Sequence, residues 1–520
     1  MDIIAIAVAV LVLPIYYLVL RYNLHMFQLN GYKNGEHVTW MKKNHRKQLI
    51  LWALLLIGVA GLFFPNLIVW IAAVVLLLIC GRYYLYLKKT NQKKKLVLTN
   101  RVKRQIITDL LLTAIGAVLG VLFYSNLILP AILLIMTACQ GWLLLLVNLL
   151  NRPAEMLVNQ HFINDAKRKL LEVEGLKIIG VTGSYGKTSV KYYLQTLLQG
   201  HYNVLITPES YNTPMGVVKT IRESLKSTHE IFVCEMGARH VGDIREICDI
   251  VHPHHGIITS IGPQHLETFF NMDNIINTKF ELADALPSEG LLFLNGDNEY
   301  ISGHCDPYPN QIFYRSTSNG EGYSASGIKL SQMGTEFVVN APNGESESFQ
   351  MRLVGAHNVI NVVGAIAVAN TLGIPLKELK VPVRRIQPVA HRLQMLERGN
   401  VTIIDDAYNS NPVGSKAAVE TLKMFDGLRI LVTPGMVELG EKEAEYNHKF
   451  GTYAASCCDY VLLIGKEHTK PIYEGLMEKG YSKERCLTYD TLEEALAYAY
   501  TIKEDGHKFI LLENDLPDNY

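Results

Sequence analysis

The sequence contains no CxxC pair, although it has eight cysteines. Structural zinc sites and disulfide frameworks are built from closely spaced cysteines, so this absence argues against both and fits a reducing compartment. The chain also has no net charge, with 49 basic and 49 acidic residues. A balanced charge gives no general attraction to nucleic acid, and we therefore expect no nucleic-acid partner.

Acidic residues are almost missing from the first 150 positions, where only Asp2, Glu36 and Asp109 occur. Five apolar stretches lie in the same region, at residues 3–20, 49–64, 67–80, 106–124 and 127–150. Most of them approach the roughly 20 residues that cross a bilayer. The first is not a signal peptide, because it lacks a basic leading region. We therefore predict a transmembrane region of about five helices over residues 1–150.

The basic residues of this region lie in two loops, one between the first and second stretches and one between the third and fourth. The two opposite turns contain no Lys or Arg. The positive-inside rule then places both basic loops in the cytoplasm and the N-terminus outside. This predicts a multi-pass protein of the inner cell membrane, in contact with membrane lipid, whose remaining domains are cytoplasmic.

We expect no ionisable side chain at the middle of a span, because Asp109 lies near the cytoplasmic end of its stretch. A transport path usually contains such a residue. The pattern therefore favours a membrane anchor over a transporter or a lipid-substrate groove, and these two alternatives stay open. A further alternative is a membrane scaffold that binds ATP without catalysis.

Residues 177–193, KIIGVTGSYGKTSVKYY, predict a phosphate-binding loop. An apolar run typical of a buried strand precedes the glycine turn, and residues 190–198 have helical spacing. Val181 stands where the common GxxxxGK(S/T) motif has its first glycine, so the motif here is the shorter TGxxGKT. Glycines let the backbone approach an anion, and a helix N-terminus favours it. We expect Lys187 to reach the phosphates and the Thr188 hydroxyl to bind Mg²⁺.

After this loop, apolar runs alternate with helical segments, which is typical of parallel sheets with crossover helices. The runs predicted to be strands are residues 203–207, 231–235, 256–261 and 291–294, and in a second α/β set residues 401–404, 429–433, 460–464 and 509–512. Short alternating segments at 311–353 predict an antiparallel patch. The predicted fold class is α/β, with an N-terminal helical membrane bundle, a P-loop parallel-sheet central domain and a smaller Rossmann-like C-terminal α/β domain. The predicted boundaries are 1–150 for the membrane region, 151–175 for a connecting helix, 176–388 for the central domain and 389–520 for the C-terminal domain.

Polar residues cluster at predicted strand ends, where ligands bind in such sheets. Glu235 ends a strand and is well placed for a magnesium-bound carboxylate, although a surface acid is the alternative. His265 follows another strand end, and a lone histidine is usually structural. Asp405 and Asp406 end a later strand beside an Asn-Pro loop, and they could equally be turn formers.

Nine segments together resemble the Mur ligase family, and most of all its MurF-type branch. In order they are TGSYGKTSVK (182–191), TPESYNTPMGV (207–217), CEMGARHVGDI (234–244), SIGPQHLETF (260–269), NTKFEL (277–282), GAHNVINVVGAIAVA (355–369), HRLQ (391–394), DDAYNSNP (405–412) and PGMVELG (434–440). The resemblance implies a ligase of peptidoglycan precursor synthesis. It implies that ATP phosphorylates a carboxylate and that an amine attacks the acyl phosphate to form an amide.

The resemblance also implies roles for individual residues, with ATP and Mg²⁺ as cofactors. The catalytic set is Lys187, Glu235, His265, Lys279 and Asp406. The set around the nucleotide is Thr182, Gly183, Ser184, Gly186, Lys187, Thr188, Ser189, His357, Asn358, Asn361, Arg392 and Asp406. The metal set is Thr188, Glu235, His265 and Lys279, of which Lys279 matches the family lysine that is carbamylated. Arg392 and Asp406 would reach ATP only when the C-terminal domain closes.

The expected substrates are a carboxylate-bearing, muropeptide-like molecule and an amino acid or dipeptide. MurF-type enzymes usually begin with a soluble domain that binds the UDP part of the substrate, whereas this chain has apolar stretches there. A lipid-linked carboxylate is therefore an alternative to a UDP-linked one. The family's usual C-terminal KGSR-like stretch is also missing, since the chain ends LLENDLPDNY.

Overall fold

The computed structural model describes residues 2–89, 95–123, 126–317, 320–408, 410–504 and 506–515. The chain divides into two compact units, one within residues 2–160 and the other within residues 161–515. The first unit is helical, and the second contains two β-sheets with helices around them.

The helices of the first unit are α1 (Asp2–Leu29), α2 (Asn34–Lys43), α3 (Leu49–Phe63), α4 (Leu67–Lys89), α5 (Asn100–Phe123), α6 (Leu129–Ala138) and α7 (Gln140–Leu171), the last of which continues into the second unit. An apolar core that includes Val12, Leu54, Trp70 and Leu134 joins α1, α3, α4 and α6. Many outward-facing side chains of these helices are also apolar, and Phe63 is 72% exposed. Such an outer surface suits a lipid environment better than water.

Three helices are long and apolar enough to cross a bilayer, namely residues 3–29 of α1, 67–87 of α4 and all of α5. Helices α6 and α7 meet at a bend of 80° and together count as at most one further span. Helix α3 has 15 residues and rises about 22 Å, less than the hydrocarbon core of about 30 Å. By length and composition, three to four of the described segments could therefore cross a membrane. The predicted stretch at 127–150 is divided in two, and the predicted connecting helix is part of α7.

Asp109 lies in the interior of the helical unit, whereas the sequence predicted a position near the cytoplasmic end of its apolar stretch. Its side chain is fully buried and accepts two hydrogen bonds, one from the Tyr16 hydroxyl, half-way along α1, and one from Gln140 Nε2 at 2.6 Å. The expectation that no ionisable group lies at mid-helix in the bundle is therefore wrong. A residue's position within its own helix does not determine the depth at which it meets a neighbouring helix. Hydrogen bonds of this kind hold apolar helices together.

The strands of the first sheet are β1 (Lys177–Thr182), β2 (Val204–Ile206), β3 (Ile231–Glu235), β4 (His255–Ile258), β5 (Leu292–Asn295), β6 (Gln311–Arg315), β7 (Tyr323–Ser331), β8 (Gly334–Asn340) and β9 (Ser346–Met351). Their order across the sheet is β2-β3-β1-β4-β5-β6-β7-β8-β9. Pairing is parallel from β2 to β7 and antiparallel from β7 to β9. The predicted antiparallel patch is confirmed for these last three strands.

Eight helices accompany this sheet, α8 (Lys187–Leu198), α9 (Pro214–Ser224), α10 (Asp243–Val251), α11 (Leu266–Phe269), α12 (Met272–Asp284), α13 (Glu299–Ser302), α14 (Ala356–Thr371) and α15 (Leu376–Arg385). Alternate side chains of a strand point to opposite faces. Ile179 accordingly packs in one core with α8 and α14, whereas Ile178 packs in another with α9 and α10. Both faces are covered, which is why the parallel strands read as continuous apolar runs.

The second sheet is formed by β10 (Gln394–Arg398), β11 (Val401–Asp406), β12 (Leu428–Thr433), β13 (Tyr460–Ile464), β14 (Cys486–Tyr489) and β15 (Lys508–Glu513), in the order β10-β11-β15-β12-β13-β14. Only β10 is antiparallel among these strands. Helices α16 (Pro412–Leu422), α17 (Glu443–Ala454), α18 (Lys466–Glu478) and α19 (Leu492–Thr501) accompany it. The predicted α/β class is confirmed, with parallel sheets in both the central and the C-terminal domain.

Candidate active site

The phosphate loop joins β1 to α8, and its two glycines are required by their surroundings. Gly183 has φ 145°, and a Cβ there would lie 2.2 Å from Thr259 Oγ1. Gly186 has φ 82°, and a Cβ there would lie 2.7 Å from Asn361 Oδ1. Asn361 is one of the predicted nucleotide residues, and it contacts the loop through this approach. Only glycine fits both positions without displacing a neighbour.

Side chains of the loop hold it in place rather than facing outward. Thr182 Oγ1 donates to Met236 O at 3.0 Å, and Ser184 Oγ donates to Gly262 O at 3.0 Å. Ser189, in the first turn of α8, is buried as well. The hydroxyls are thus used inside the protein, which leaves the backbone N–H groups of the loop as the groups suited to an anion.

Lys187 lies over this loop. Its Nζ donates to Gly183 O at 2.6 Å and to Ser184 O at 3.0 Å. Burial lowers the pKa of Lys187 to about 8, the carboxylate of Glu235 opposes this shift, and the charge of Arg392 adds to it. The ammonium group therefore lies within electrostatic reach of both a strand-end acid and an arginine of the C-terminal domain.

Glu235 is buried at the end of β3, where three side chains converge on its carboxylate. Oε1 accepts hydrogen bonds from Thr188 Oγ1 and Asn212 Nδ2, both at 3.0 Å. Oε2 lies 2.9 Å from Nζ of the fully buried Lys191. Burial by itself would raise the pKa of Glu235, but the ion pair with Lys191 and the charge of Lys187 lower it overall. The carboxylate is therefore ionised and adjacent to the Thr188 hydroxyl.

Lys279 and His265 form the second half of the predicted metal set. Lys279, on α12, is 2% exposed, and its Nζ lies 5.8 Å from the centre of the Phe269 ring. Burial lowers its pKa well below the ordinary value, and the charge of Lys187 lowers it further. Burial also lowers the pKa of His265. The Glu438 carboxylate opposes this shift, and the charge of Lys279 adds to it. Both groups therefore favour the neutral form, which metal binding and carbamylation need.

Two predicted residues come from the C-terminal domain. The Arg392 guanidinium lies over the Tyr408 ring, 4.8 Å from its centre, and its charge acts on Lys187. Asp406, at the end of β11, accepts a hydrogen bond from Leu393 N at 3.2 Å. Burial raises the pKa of Asp406 to about 6, while Arg392 opposes the shift. In this structure the C-terminal domain therefore brings Arg392 close to the phosphate loop.

The predicted nucleotide residues of α14 differ in what they contact. Asn358 is occupied internally, since Tyr193 OH donates to its Oδ1 at 2.9 Å and its Nδ2 donates to Val354 O at 2.9 Å. His357 has a buried Nδ1 that has no hydrogen-bond partner in the described part of the chain. Burial lowers the pKa of His357 to about 4. The neutral imidazole of His357 therefore has a nitrogen available to a ligand, whereas both polar atoms of the Asn358 amide already form hydrogen bonds within the protein.

Sequence reasoning missed several residues of the site. Lys191 could have been found, because it lies four residues after Lys187 and so on the same face of α8. Asn212 and Glu438 lie in the motifs 207–217 and 434–440, but nothing local identifies their partners. Glu513 is buried, accepts from Thr433 Oγ1 at 2.8 Å, and has a pKa raised to about 7 by burial and by Asp406.

The residues present fit Mg²⁺ and ATP. Among the described residues, no three His, Cys, Asp or Glu side chains form a metal-binding group. Magnesium, however, keeps several waters and takes one or two carboxylates together with substrate phosphates. The adjacent oxygens of Thr188 and Glu235, beside the phosphate loop, match that donor set. The buried, unpartnered nitrogen of His357 matches a nucleotide-binding face.

Comparison with known families and structures gives a consistent result. Residues 181–369 match the Mur ligase middle domain, and residues 391–512 match the Mur ligase glutamate ligase domain. A UDP-N-acetylmuramoyl-tripeptide–D-alanyl-D-alanine ligase of Escherichia coli is 28% identical over 377 residues, covering 70% of this chain and 83% of that protein. The Bacillus subtilis ligase of the same name is 29% identical, over 66% of this chain and 73% of that protein.

Solved structures agree with these relatives. The crystal structure of MurF from Acinetobacter baumannii matches with a TM-score of 0.64 and 25% identity, covering 70% of this chain and 78% of that one. MurF ligase from Thermotoga maritima in complex with ADP matches with a TM-score of 0.61 and 25% identity, covering 69% of this chain and 80% of that one.

Proposed function

Because the chain belongs to the Mur ligases, ATP-dependent ligases that form amide bonds, we propose that it is a membrane-anchored, MurF-like ligase of peptidoglycan precursor synthesis. It joins the carboxylate of a muropeptide-like substrate to the amine of an amino acid or dipeptide. ATP and Mg²⁺ are used, as in the family. The roles of individual residues, the domain boundaries and the location in the membrane are parts of this proposal.

One observation supports the proposal most directly. Around the phosphate loop, the charges of Glu235 and Arg392 act on Lys187, and that of Lys187 acts on Lys279. Two anions, a triphosphate and a carboxylate, must meet in this reaction, and their mutual repulsion is the main obstacle to it. Cations contributed by two separate elements, Lys187 of α8 and Arg392 of the C-terminal domain, reduce that repulsion, and positioning with charge stabilisation accounts for most of such catalysis.

The reaction then proceeds in two steps. A substrate carboxylate oxygen attacks the γ-phosphorus of ATP, and the bond to the β-phosphate oxygen breaks, giving an acyl phosphate and ADP. The amine attacks the acyl carbon, loses a proton, and the tetrahedral intermediate expels phosphate to leave an amide. Lys187 and the loop amides would bind the phosphates, and Arg392 and Asp406 would close over them and exclude water from the labile acyl phosphate.

Magnesium, when bound, supplies positive charge to the phosphate oxygens. Thr188 and Glu235 would hold one ion, and His265 with carbamylated Lys279 would hold a second. His357, Asn358 and Asn361 would lie beside the nucleotide, with Asn358 acting by bracing α14 against Tyr193 of α8. Lys191 would keep Glu235 paired whenever no metal is bound.

Phosphate release from ATP is expected only when both a carboxylate and an amine substrate are present, because each step needs its own acceptor. The measurement uses the full-length protein in detergent, with UDP-linked and lipid-linked muropeptides tested in parallel against amino acids and dipeptides. Mass spectrometry identifies the amide product. Phosphate release at an unchanged rate without either substrate would contradict the ligase.

A lipid-linked carboxylate substrate is the second candidate, and the first unit favours it. Residues 2–160 form a helical unit whose outer surface is largely apolar, and they precede the matched family domains. A substrate held in the bilayer would reach an enzyme anchored beside it without free diffusion in three dimensions. Exclusive turnover of the lipid-linked muropeptide in the experiment above would establish this candidate, and exclusive turnover of the UDP-linked one would exclude it.

We propose that the first unit lies in the inner membrane, with the N-terminus outside and the catalytic domains in the cytoplasm. This orientation needs five crossings, in which the shorter helix α3 and the α6–α7 pair cross as well as the three long helices. Cysteine labelling tests this topology, since seven of the eight native cysteines are buried and Cys139 is partly so. In spheroplasts, an impermeant maleimide should label Phe64→Cys, in the turn between α3 and α4. It should label Lys42→Cys, in the last turn of α2 within the basic segment between α1 and α3, only after permeabilisation. The unsubstituted chain is the control, and the reverse labelling pattern would invert the topology.

A further inference from the structure

A carboxylate of the C-terminal domain contacts the imidazole proposed to bind the second metal ion. Glu438 follows β12, and its Oε2 lies 2.5 Å from Nδ1 of His265, which is 173 positions away in the sequence. Its Oε1 lies 3.3 Å from the Arg239 guanidinium. The side chains of His265 and Glu438 are 14% and 17% exposed, so water competes little for this contact.

The backbone is strained on both sides of the contact. His265 has φ 54° and Glu438 has φ 63°. Both values lie in the left-handed region, which residues other than glycine, asparagine and aspartate rarely adopt. Strained residues persist where the surrounding structure over-determines them, and they cluster at functional sites. Neither residue is a glycine, so each position keeps a side chain in a backbone conformation that glycine would adopt more easily.

The loop that contains Glu438 is fixed to its own domain. Asn447, buried on α17, accepts from Met436 N at 2.8 Å and donates to Met436 O at 2.9 Å. Leu439, next to Glu438, is buried in the core of that domain. Glu438 therefore moves with the C-terminal domain, and its contact with His265 exists only when that domain is docked against the central domain.

We propose that Glu438 is a positioning residue that orients His265 for the second metal ion, and that docking of the C-terminal domain supplies it. This inference rests on the proposed function, which assigns the metal to His265. A neutral imidazole has one N–H donor and one acceptor nitrogen, whereas an ionised carboxylate can only accept. Nδ1–H of His265 therefore donates to Glu438, and the Nε2 lone pair stays available. The Arg239 guanidinium lies 3.3 Å from the other carboxylate oxygen.

This arrangement links metal binding to domain docking. When the C-terminal domain is not docked, Glu438 cannot contact Nδ1 of His265. The tautomer and the ring orientation of His265 are then less restricted. Partners of this kind typically change metal affinity or activity by about 10- to 100-fold. The second ion would thus be held firmly only in the docked state, when Arg392 is also near the phosphate loop.

The test uses the full-length protein in detergent with ADP, and Mn²⁺ as a paramagnetic probe in place of Mg²⁺. Histidine carries an isotope-labelled nitrogen, so that electron spin echo spectra report directly whether a histidine binds the ion. We expect a histidine coupling in the unsubstituted protein that His265→Ala removes. In Glu438→Ala the half-saturating Mn²⁺ concentration should rise about 10- to 100-fold and the coupling should weaken. Glu438→Gln, which keeps an acceptor oxygen, should shift less.

Glu441→Gln is the matched control, because this exposed carboxylate lies three residues away on the same loop and should leave both readouts unchanged. Unchanged Mn²⁺ binding and coupling in Glu438→Ala would overturn the inference, and thermal melting checks that the variant folds. If Glu438→Ala does not fold, an unchanged Glu438→Gln overturns it instead. Normal phosphate release without any histidine coupling also overturns it but leaves the ligase intact. Absence of substrate-dependent phosphate release would contradict the proposed function itself.

Discussion

Lys187→Ala is expected to lower ATP-dependent phosphate release by about 1,000-fold or more, equivalent to about 4 kcal/mol of transition-state stabilisation. Lys187 is the only cation whose ammonium group lies directly over the phosphate loop among the described residues, with hydrogen bonds of 2.6 and 3.0 Å to its carbonyls. Its loss leaves the backbone amides in place, so ADP should still bind. The negative charge of the transferring phosphoryl group would, however, no longer be stabilised by an ammonium group.

This variant should remain folded. Glu235, the nearest acid, keeps its 2.9 Å ion pair with Lys191, so no buried carboxylate is left unpaired. The melting temperature is therefore expected to change little, which separates a catalytic defect from a folding defect. Lys226→Ala, an exposed lysine, serves as the matched control and should be fully active. An unchanged rate in Lys187→Ala would mean that ATP is not used at this loop, and a scaffold or another site would have to be considered.

Lys279→Ala is expected to lower ligation by about 100- to 1,000-fold, and formate, acetate or bicarbonate should partly restore it. Lys279 is 2% exposed, and burial lowers the pKa of its ammonium group more than the charges of Asp243 and Glu281 raise it. A buried amine whose pKa is lowered in this way favours its neutral, nucleophilic form. It would add to carbon dioxide, lose a proton and become a carbamate, which is an oxygen ligand of the kind that magnesium prefers.

Carbamylation can be measured separately from activity. Isotope-labelled bicarbonate should give one carbamate carbon signal in the unsubstituted protein and none in Lys279→Ala. Lys191 is an internal comparison, because it is fully buried but paired with Glu235 at 2.9 Å, and an ammonium group held in that pair does not react with carbon dioxide. Full activity in Lys279→Ala without added acid would remove the proposed role of the carbamate.

Strands built from continuous apolar runs were predictable from local sequence. The runs at 231–235 and 460–464 coincide with β3 and β13. Two strands were missed for identifiable reasons. β10 has the sequence QMLER, which has little apolar character, and β14 has only four residues at the edge of its sheet. Edge strands bury less surface, so their composition is less constrained.

The division between α6 and α7 was not predictable. The apolar pattern continues through Cys139, and the structure nevertheless bends the chain by 80° there. Composition shows that a segment avoids water, but it does not show where the segment turns against its neighbours. The same reason explains Asp109, whose contact with Tyr16 joins residues 93 positions apart.

The amino-acid sequence by itself determined the phosphate loop, the apolar helices and the α/β class, because each depends on consecutive residues. A loop of backbone N–H groups at the start of a helix is formed by neighbouring residues, so glycine, lysine and threonine at fixed spacing are enough to specify it. The partners of Glu235 and the contact between Glu438 and His265 were decided only by the tertiary structure. They join residues up to 173 positions apart, and only the packing of two domains brings such side chains within hydrogen-bond distance.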